Sequence, residues 1–508
     1  MALLACLTSW WAVPLGVALV AASYLWPYFV THRHLRGIPA PWGAQVSNLW
    51  LALAARRGQR YWAVDEAHNK LGNMVRVQPN HVSVVDESAV AVIYGHGNGL
   101  IKGDFYDVFV SIQPSIFSTR SRCEHTRKRK MVSHAFSARS VAELEPYMGQ
   151  ELALFVARLD ELVAQAGGEA RVDLLLWFSY LAFDMIGDLA FGAPFGMLEA
   201  GSDVAEARLT PDSAPEAVSA IELLNRRGET NATLGCLTPL GRWAVGWLPR
   251  GILHQGLDAS AKLAGIAVAR VKARLDQAKP ARRDLLSHLV QARDAAGQTL
   301  PRNELTAEAL AYVIAGSDTT ANSSCALANY LLRHPRVLHQ LQRELDAAVP
   351  AGVDVPSWEM VRSLEYLGWT VLETLRHHAT SAIGLPRLVP HDSPGITILG
   401  RFFPPGTVLS VPTYSLHRCR AIWGPDALDF RPERWANPTP AQKTAFIPFG
   451  HGPRACVGRN VAEMEMKLIA ATWIRRYSVA LRQGDMETRE GFLRKPMALQ
   501  VALSQRPK

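Results

Sequence analysis

The sequence lacks the features that define several other protein classes. Its 508 residues include only six cysteines, and no two of them have the C-x-x-C spacing. Such scattered cysteines argue against a disulfide scaffold and favour a reducing, cytosol-facing environment. Residues 41–508 contain no internal repeat or low-complexity linker, and no nucleic-acid-binding motif accompanies the basic residues. We therefore expect no nucleic-acid partner.

Charge is missing from the N-terminus, where residues 2–30 contain no charged side chain. An apolar run of this length can cross a membrane as a helix of about 20 residues. Arg33 and Arg36 follow without an acidic residue, so the positive-inside bias places the remaining chain in the cytosol. A cleaved signal peptide is the alternative, but a basic n-region is lacking. We predict a single-pass anchor over residues 1–30 and a basic, proline-rich hinge over residues 31–43.

The remaining composition suits one large domain over residues 44–508. Hydrophobic residues make up 48% of the chain, and 54 lysines and arginines against 45 acidic residues give a net charge of +9. That charge suits an anionic membrane surface or an acidic protein partner. Apolar periodicity predicts helices over residues 142–164, 174–191, 263–278, 285–295, 306–333 and 337–348, and a further helix after Gly458. Strands are predicted within residues 75–85 and 397–411, which gives a mainly α fold with small β-sheets (α+β).

A glycine-rich loop around Cys456 carries the strongest chemical signal. It reads F-G-H-G-P-R-A-C-V-G from Phe449 to Gly458 and precedes the last predicted helix. Glycines let a backbone fold closely beside a flat cofactor, and a helix N-terminus favours an anionic thiolate. In this setting Arg454 can neutralise a haem propionate and Phe449 can cover the sulfur. A lone buried cysteine is usually only a small hydrophobe, but the fixed offsets of this loop argue against that interpretation.

The loop matches F-x-x-G-x-R-x-C-x-G, and the chain resembles the cytochrome P-450 superfamily. The resemblance implies the cytochrome P-450 fold, haem b as cofactor and Cys456 as the residue whose thiolate ligates the haem iron. It also implies a network of Glu373, Arg376 and Arg434, drawn from E-T-L-R and F-R-P-E-R-W, that supports the loop. Taken alone, Glu373 and Arg376 would be an ordinary helical ion pair.

The segment A-G-S-D-T-T, residues 315–320, interrupts a long apolar helical pattern. Small residues such as Ala315 let a helix pass close to a cofactor, and Gly316 is expected to weaken the local hydrogen-bond ladder and open a groove. Dioxygen activation needs protons, which an acid and an alcohol can deliver. A helix distortion with solvated polar groups is the alternative. The resemblance assigns the proton relay to Asp318 and Thr319.

Residues 125–130 read H-T-R-K-R-K, a charge run that is most often a solvated helix face. The superfamily usually has W-x-x-x-R at this place, which puts His125 and Arg129 at the propionate-binding positions. Arg387, in G-L-P-R-L-V-P, matches a further propionate contact. The other basic residues of the run are then expected on the proximal surface, where they would attract an acidic electron donor. They are Arg127, Lys128 and Lys130.

Longer segments resemble the fungal benzoate 4-monooxygenases, among them residues 96–112 and the stretch M-E-T-R-E-G-F-L-R-K-P. This resemblance implies para-hydroxylation of benzoate with O2, electrons from NADPH through NADPH-cytochrome P-450 reductase, and location in the endoplasmic reticulum membrane with lipid as a partner. A small aromatic acid needs apolar walls and one or two donors. We expect Tyr106 and Ser111 as carboxylate donors and Ala382 as a pocket residue. Gly450-His451 and Ala311-Tyr312 depart from the family pattern, and the second pair bears on the substrate.

Other functions stay open at this point. The enzyme could oxidise a different aromatic or apolar substrate. It could also rearrange a peroxide, which needs no reductase, or serve as a non-catalytic haem sensor. The Asp318-Thr319 pair and the basic run argue against the last two, because neither function requires a proton relay or an electron donor.

Overall fold

A computed structural model describes residues 25–247, 251–276, 284–293 and 297–507, together with residues 14, 15, 18 and 22. Helices dominate this part of the chain. They are α1 Leu49–Arg56, α2 Arg60–Leu71, α3 Ser88–Tyr94, α4 Arg122–Val132, α5 Ala138–Ala142, α6 Glu145–Gln165, α7 Leu174–Phe191, α8 Met197–Ala200, α9 Ala220–Gly235, α10 Pro239–Val245, α11 Ile252–Asp276, α12 Leu285–Gln291, α13 Arg302–Arg333, α14 Pro335–Ala348, α15 Trp358–Val361, α16 Glu365–His377, α17 Thr413–Leu416, α18 Arg420–Trp423, α19 Pro440–Ala445 and α20 Arg459–Arg476.

The strands are short and form small sheets at the edge of the helical body. They are β1 Met74–Gln78, β2 His81–Val84, β3 Ile101–Lys102, β4 Ala170–Asp173, β5 Val204–Ala207, β6 Glu216–Ser219, β7 Arg387–Leu388, β8 Ile396–Ile398, β9 Arg401–Phe403, β10 Val408–Ser410, β11 Tyr477–Leu481, β12 Thr488–Glu490, β13 Arg494–Pro496 and β14 Gln500–Gln505. The largest sheet has the order β1-β2-β10-β7-β3, with only β2 and β10 parallel. A second sheet has the order β11-β14-β4, and the remaining strands pair as hairpins.

The long helix α13 packs against α7 at the centre of the main core. Their closest approach lies at Gly316, where a Cβ would stand 2.5 Å from Cγ1 of Ile186. Helix α7 is apolar on almost every side, as a helix surrounded by core must be. Within the described chain it is the single helix long and apolar enough to cross a membrane, but 83% of that window is buried, which identifies it as a core helix.

The predicted secondary structure is largely confirmed, and the differences have local causes. The helix predicted over residues 142–164 is two helices, α5 and α6, because the chain turns at residues 143–144 before Pro146 opens α6. Helix α12 ends at Gln291, four residues earlier than predicted. Between β8 and β9 the turn is Leu399-Gly400, with φ of 49° and 75°, and a second turn at Pro404-Pro405-Gly406 connects β9 to β10, which belong to different sheets. Most of the predicted anchor lies outside the described residues and stays a prediction.

Candidate active site

The loop around Cys456 lies between α19 and α20 and folds back on itself. The Cys456 amide donates to the carbonyl of Phe449 at 2.8 Å, and Gly450 and Gly452 have φ of 70° and 69°. A Cβ at Gly452 would meet the Tyr94 carbonyl oxygen at 2.0 Å, so only glycine fits there. Gly458 differs, because its φ is ordinary and a Cβ would contact the Cys456 sulfur at a permissible 4.0 Å. The close fold therefore depends on two glycines of the predicted three.

The thiol of Cys456 faces a space inside the molecule. Its side chain is exposed, yet burial within the fold raises the pKa of the thiol. Gly458, at the start of α20, provides a hydrogen bond that acts in the opposite direction, as does the charge of Arg129. The Arg129 guanidinium donates to the Ala455 carbonyl at 2.6 Å and so lies directly against the loop. Burial alone disfavours the anionic sulfur, whereas the Gly458 hydrogen bond and the Arg129 charge favour the thiolate that binds a metal.

A buried network anchors the other end of the loop. Both oxygens of Glu373 accept from Arg376, at 2.8 and 2.9 Å, and Arg434 donates at 2.9 Å. Burial acts to raise the pKa of Glu373, but these donors outweigh it and hold the pKa well below its usual range. Arg376 also donates to the His417 carbonyl at 2.8 Å, and His417 Nε2 accepts from the amide of Ile447 at 3.0 Å. The network thus reaches the residue two positions before Phe449.

Five basic side chains converge above the loop and form what we call the basic cluster. They are Lys102, His125, Arg129, Arg387 and Arg454. Lys102 on β3 and Arg387 on β7 are direct cross-strand partners, a placement that is destabilising for like charges. Burial and the neighbouring cations lower the pKa of Lys102 well below its ordinary value and that of His125 to about 3. Among the described residues, no carboxylate forms an ion pair with any member of this cluster.

A haem fits this arrangement. Its two propionates would supply the negative charge that the basic cluster lacks, and the inward-facing Cys456 would supply the axial sulfur. The polar atoms of the cluster are held in place by backbone carbonyls: Arg454 donates to Thr119 at 2.6 Å, and Lys102 donates to Phe117. The predicted propionate residues therefore lie together, and Lys102 joins them.

Helix α13 presents an accessible stripe within an otherwise buried helix. Ala315 is exposed, and Ala311, Asp318 and Thr319 on the same face are partly exposed, although their neighbours are buried. The helix is continuous through this stripe, so the predicted opening at Gly316 is wrong. Gly316 instead serves the packing against Ile186 described above. The Thr319 hydroxyl donates to the Ala315 carbonyl at 2.8 Å, which satisfies that carbonyl without breaking the helix.

Asp318 is held by partners that the sequence analysis did not assign. Lys495 on β13 forms an ion pair with Asp318 at 2.8 Å, and the Asn322 amide donates to its other oxygen at 3.0 Å. Lys495 also donates to Asn225 on α9 at 2.5 Å. The carboxylate thus stands at the junction of α13, the C-terminal hairpin and α9.

The basic run on α4 is mostly neutralised, contrary to our expectation. Lys128 is buried and pairs with Glu304 at 2.5 Å and with Glu308 at 2.9 Å. Arg127 pairs with Glu124 and Glu304. Lys130 alone of the three predicted docking residues is exposed. The sequence pattern could not show the pairing with Glu304 and Glu308, because these residues lie on α13, 176 and 180 residues from Lys128.

The predicted substrate residues occupy three different settings. Tyr106 is fully buried, and its hydroxyl accepts from Arg387 at 2.9 Å, so it belongs with the basic cluster. Ser111 is exposed at a bend. Ala382 lines a cavity of about 730 Å³ that also contacts Pro27, Phe105 and Ile383. The structure therefore does not bring the two predicted donors together.

Aromatic rings surround the region between the cavity and the basic cluster. We call this group the aromatic cluster. Phe109 is central, with ring centroids 5.5 Å from Phe105, 5.7 Å from Phe117 and 4.7 Å from Phe492. Tyr106 joins through Phe117 at 5.7 Å. These rings provide the apolar wall that a small flat substrate requires.

Two buried groups near the site escaped sequence analysis. Trp435 donates to Glu373 at 2.9 Å, and its ring lies 4.5 Å from Phe446, so it links the network to the loop. Glu465 on α20 accepts a 2.7 Å hydrogen bond from Thr320, the residue after Thr319. Burial raises the pKa of Glu465 to about 7, with the Thr320 hydrogen bond opposing the shift. The sequence does contain one indication of Glu465, because an acidic residue is unusual within the apolar pattern of α20.

Comparisons with known proteins agree with this geometry. A family model described as Cytochrome P450 matches residues 39–503. The chain is 52% identical over 514 residues to Benzoate 4-monooxygenase bphA of Aspergillus niger, covering 99% of each chain. It is 29% identical to a Cytochrome P450 monooxygenase of Aspergillus terreus, covering 89% of this chain and 91% of the relative. A similar match, 29% over 97% and 98% of the two chains, links it to Cytochrome P450 monooxygenase gsfF of Penicillium aethiopicum.

The chain therefore belongs to the cytochrome P450 family. It is a haem-dependent monooxygenase, and the predicted fold class and enzyme class are confirmed.

Glu465 makes protein stability depend on pH in a predictable direction. The pKa of Glu465 is 4.5 in the unfolded chain and about 7 in the folded chain, so the folded chain binds this proton more tightly. Stability contributed by this group is therefore full below pH 4.5 and is lost as pH rises towards 7. We expect Glu465→Gln to be more stable than the wild type at pH 8, on the order of 1–3 kcal/mol, and similar at pH 5. The measurement is the apparent Tm of the wild type and of Glu465→Gln at pH 5 and pH 8, at one fixed heating rate. If the apparent Tm of both proteins changed with pH in the same way, Glu465 would not be the titrating group.

Proposed function

We propose that this enzyme converts benzoate to 4-hydroxybenzoate, using O2 and two electrons from NADPH delivered by a diflavin NADPH-cytochrome P-450 reductase. The observation that carries the proposal is the 52% identity, over 99% of both chains, to the Aspergillus niger protein named benzoate 4-monooxygenase. One oxygen atom enters the ring and the other leaves as water, so benzoate, O2, NADPH and a proton yield 4-hydroxybenzoate, water and NADP⁺.

The proposed site divides the work between its two faces. Cys456 is the iron ligand, and the basic cluster holds the propionates through charge-assisted hydrogen bonds. When bound, thiolate-ligated haem supplies activation of dioxygen and transfer of one of its oxygen atoms. The Glu373 network keeps the Cys456 loop fixed through His417 and Trp435, because a buried carboxylate that accepts five hydrogen bonds cannot reorient without leaving charges unpaired.

Proton delivery is assigned to the exposed stripe of α13. Thr319 offers a hydroxyl on the same face as Ala315, and Asp318 lies beside it in its ion pair with Lys495. Lys495 is a positioning residue in this scheme, because it fixes the carboxylate and connects it to Asn225 on α9. A carboxylate and a hydroxyl joined by water can pass protons along this face of α13, towards the side where the haem would be held.

We further propose attachment to the endoplasmic reticulum membrane by residues 1–30, with the catalytic domain in the cytosol. Large apolar side chains are exposed close to this segment and around α10, which supports a lipid-facing surface. They include Trp26, Phe29, Leu240, Trp243 and Trp247, which are 54–75% exposed. Pro27 and Leu240 line the same cavity, so the N-terminal segment and α10 lie on one side of the molecule.

The ligand assignment predicts a spectroscopic outcome for Cys456→Ser. Its ferrous carbon monoxide complex should lose the red-shifted absorption band of thiolate ligation, since a serine hydroxyl stays neutral and donates far less electron density. Cys419→Ser is the matched control, because Cys419 is a partly buried cysteine outside the loop. Persistence of the thiolate band in Cys456→Ser would show that another group ligates the iron.

The substrate proposal predicts regioselective turnover by the full-length protein. Reconstituted with NADPH-cytochrome P-450 reductase in vesicles, it should convert benzoate to 4-hydroxybenzoate, with NADPH consumption rising on addition of benzoate. Chromatography separates the three hydroxybenzoate isomers, and omission of the reductase is the control. Formation of the 2- or 3-isomer as the main product, or no product with an active reductase, would refute the proposal.

The relay predicts a loss of coupling in Thr319→Ala. Haem content and benzoate binding should stay close to wild type, because neither depends on this hydroxyl. Product formed per NADPH should fall several-fold, with hydrogen peroxide making up the difference, because reduced dioxygen that receives no ordered proton supply is released. Thr319→Ser keeps the hydroxyl and should recover most of the coupling. Equal product-to-NADPH ratios in all three proteins would show that the hydroxyl is dispensable.

A further inference from the structure

Helix α9 carries an arginine whose charge no acidic residue balances. Arg227 is 6% exposed, and burial lowers the pKa of its guanidinium to about 10. Its Nη2 donates to the Phe109 carbonyl at 3.1 Å, whereas its Nε has no hydrogen-bond partner. No carboxylate in the described part of the chain pairs with it. A guanidinium remains charged in proteins, so leaving it buried and unpaired costs several kcal/mol.

A second unsatisfied donor lies one helical turn away. Asn231 is 1% exposed, and its Nδ2 has no hydrogen-bond partner among the described residues. Residues four positions apart share a helix face, so Asn231 and Arg227 point to the same side of α9. Buried donors without partners are rare in folded proteins, and two adjacent ones indicate an acceptor that the protein itself does not supply.

The face that bears these donors lies against the aromatic cluster. Arg227 is positioned over the Phe109 ring, 5.9 Å from its centroid. One turn beyond Asn231, a Cβ at Gly235 would stand 2.7 Å from the Phe105 ring. Phe105 and Gly235 both line the 730 Å³ cavity. The stripe of Arg227, Asn231 and Gly235 therefore lies along the aromatic cluster, and of these three residues only Gly235 lines the cavity.

We propose that Arg227 and Asn231 bind the carboxylate of the aromatic acid substrate. This rests on the proposed function, because it names the contacts that the carboxylate of the proposed substrate would make beside the aromatic cluster. The carboxylate balances the Arg227 charge and accepts from both free donors, while the ring lies among Phe105, Phe109 and Phe492. Binding the acid at one end presents the opposite end of the ring for oxidation, which accounts for attack at the para carbon.

The variant Arg227→Met removes the guanidinium charge but keeps an apolar side chain of similar length, so it tests recognition of the substrate's charge apart from side-chain packing. We expect the Kd for benzoate, measured by the substrate-induced shift of the haem absorption band, to rise about 10- to 100-fold, the value of a charge-assisted contact. The Kd for methyl benzoate, which is uncharged, should not rise and is expected to fall, because a neutral ligand leaves the Arg227 charge of the wild type unbalanced. Arg226→Met is the matched control, because Arg226 is the neighbouring arginine but is 47% exposed and pairs with Glu222. Arg227→Lys, which keeps the charge, should retain part of the preference for the acid.

Asn231→Asp tests the same site with the opposite effect on stability. The new carboxylate would stand one turn from Arg227 and satisfy its charge internally. We expect apparent Tm without ligand to rise and benzoate binding to weaken at least tenfold. Benzoate should raise the apparent Tm of the wild type but not of Arg227→Met or Asn231→Asp.

The outcomes distinguish this proposal from the substrate assignment. If the wild type hydroxylates benzoate and Arg227→Met binds it unchanged, or loses benzoate and methyl benzoate equally, the anchor is refuted and the function stands. If the wild type does not bind benzoate but binds another aryl carboxylate, such as cinnamate, and Arg227→Met loses that acid, the anchor stands and the substrate assignment fails. A wild type that binds methyl benzoate more tightly than any aryl carboxylate refutes the anchor.

Discussion

Buried positive charge without protein carboxylates is the constraint on which the active site depends. The basic cluster brings together five cationic or protonatable side chains, and burial adds a desolvation cost to their mutual repulsion. Backbone carbonyls accept from these side chains, but no carboxylate in the described chain balances their charge. Anions that enter the cluster would therefore stabilise it, which would couple haem binding to the folding of this region.

The Glu373 network, which supports the Cys456 loop, differs from the basic cluster because its charges are balanced within the protein. Glu373 accepts from Arg376, Arg434 and Trp435, so the charges there are balanced before any ligand arrives. A rigid support is needed on that side, because the sulfur must approach the iron from a fixed direction. The protein thus combines the Glu373 network, whose charges are balanced within the protein, with the basic cluster, whose charges a cofactor would balance. Losing Glu373 would leave the buried Arg376 guanidinium without a carboxylate partner and would leave Arg434 with Asp426 alone, at 3.4 Å.

Sequence motifs located the parts of the site that are contiguous in the chain. The Cys456 loop, the E-T-L-R pair and the A-G-S-D-T-T segment were recognisable because their spacing is set by local geometry. Contacts across the fold were not. Lys128 pairs with acids on α13, Lys495 reaches Asp318 from the C-terminal hairpin, and Lys102 meets Arg387 across a strand pair that forms only in the folded protein. A basic residue in the sequence shows a charge, but whether that charge is free or paired is a tertiary property.

Whether a buried charge is free or paired also decides how the enzyme would select an aromatic acid over a neutral aromatic molecule. Contact with the aromatic cluster contributes nearly the same binding free energy for a neutral aromatic hydrocarbon as for benzoate, because both bury one aromatic ring. Discrimination must come from what the neutral molecule leaves unsatisfied. With Arg227 buried and its Nε lacking a partner, a neutral ligand seals the charge away from water without balancing it, whereas a carboxylate balances it. Specificity would then arise from the penalty on the wrong ligand rather than from stronger attraction for the ring.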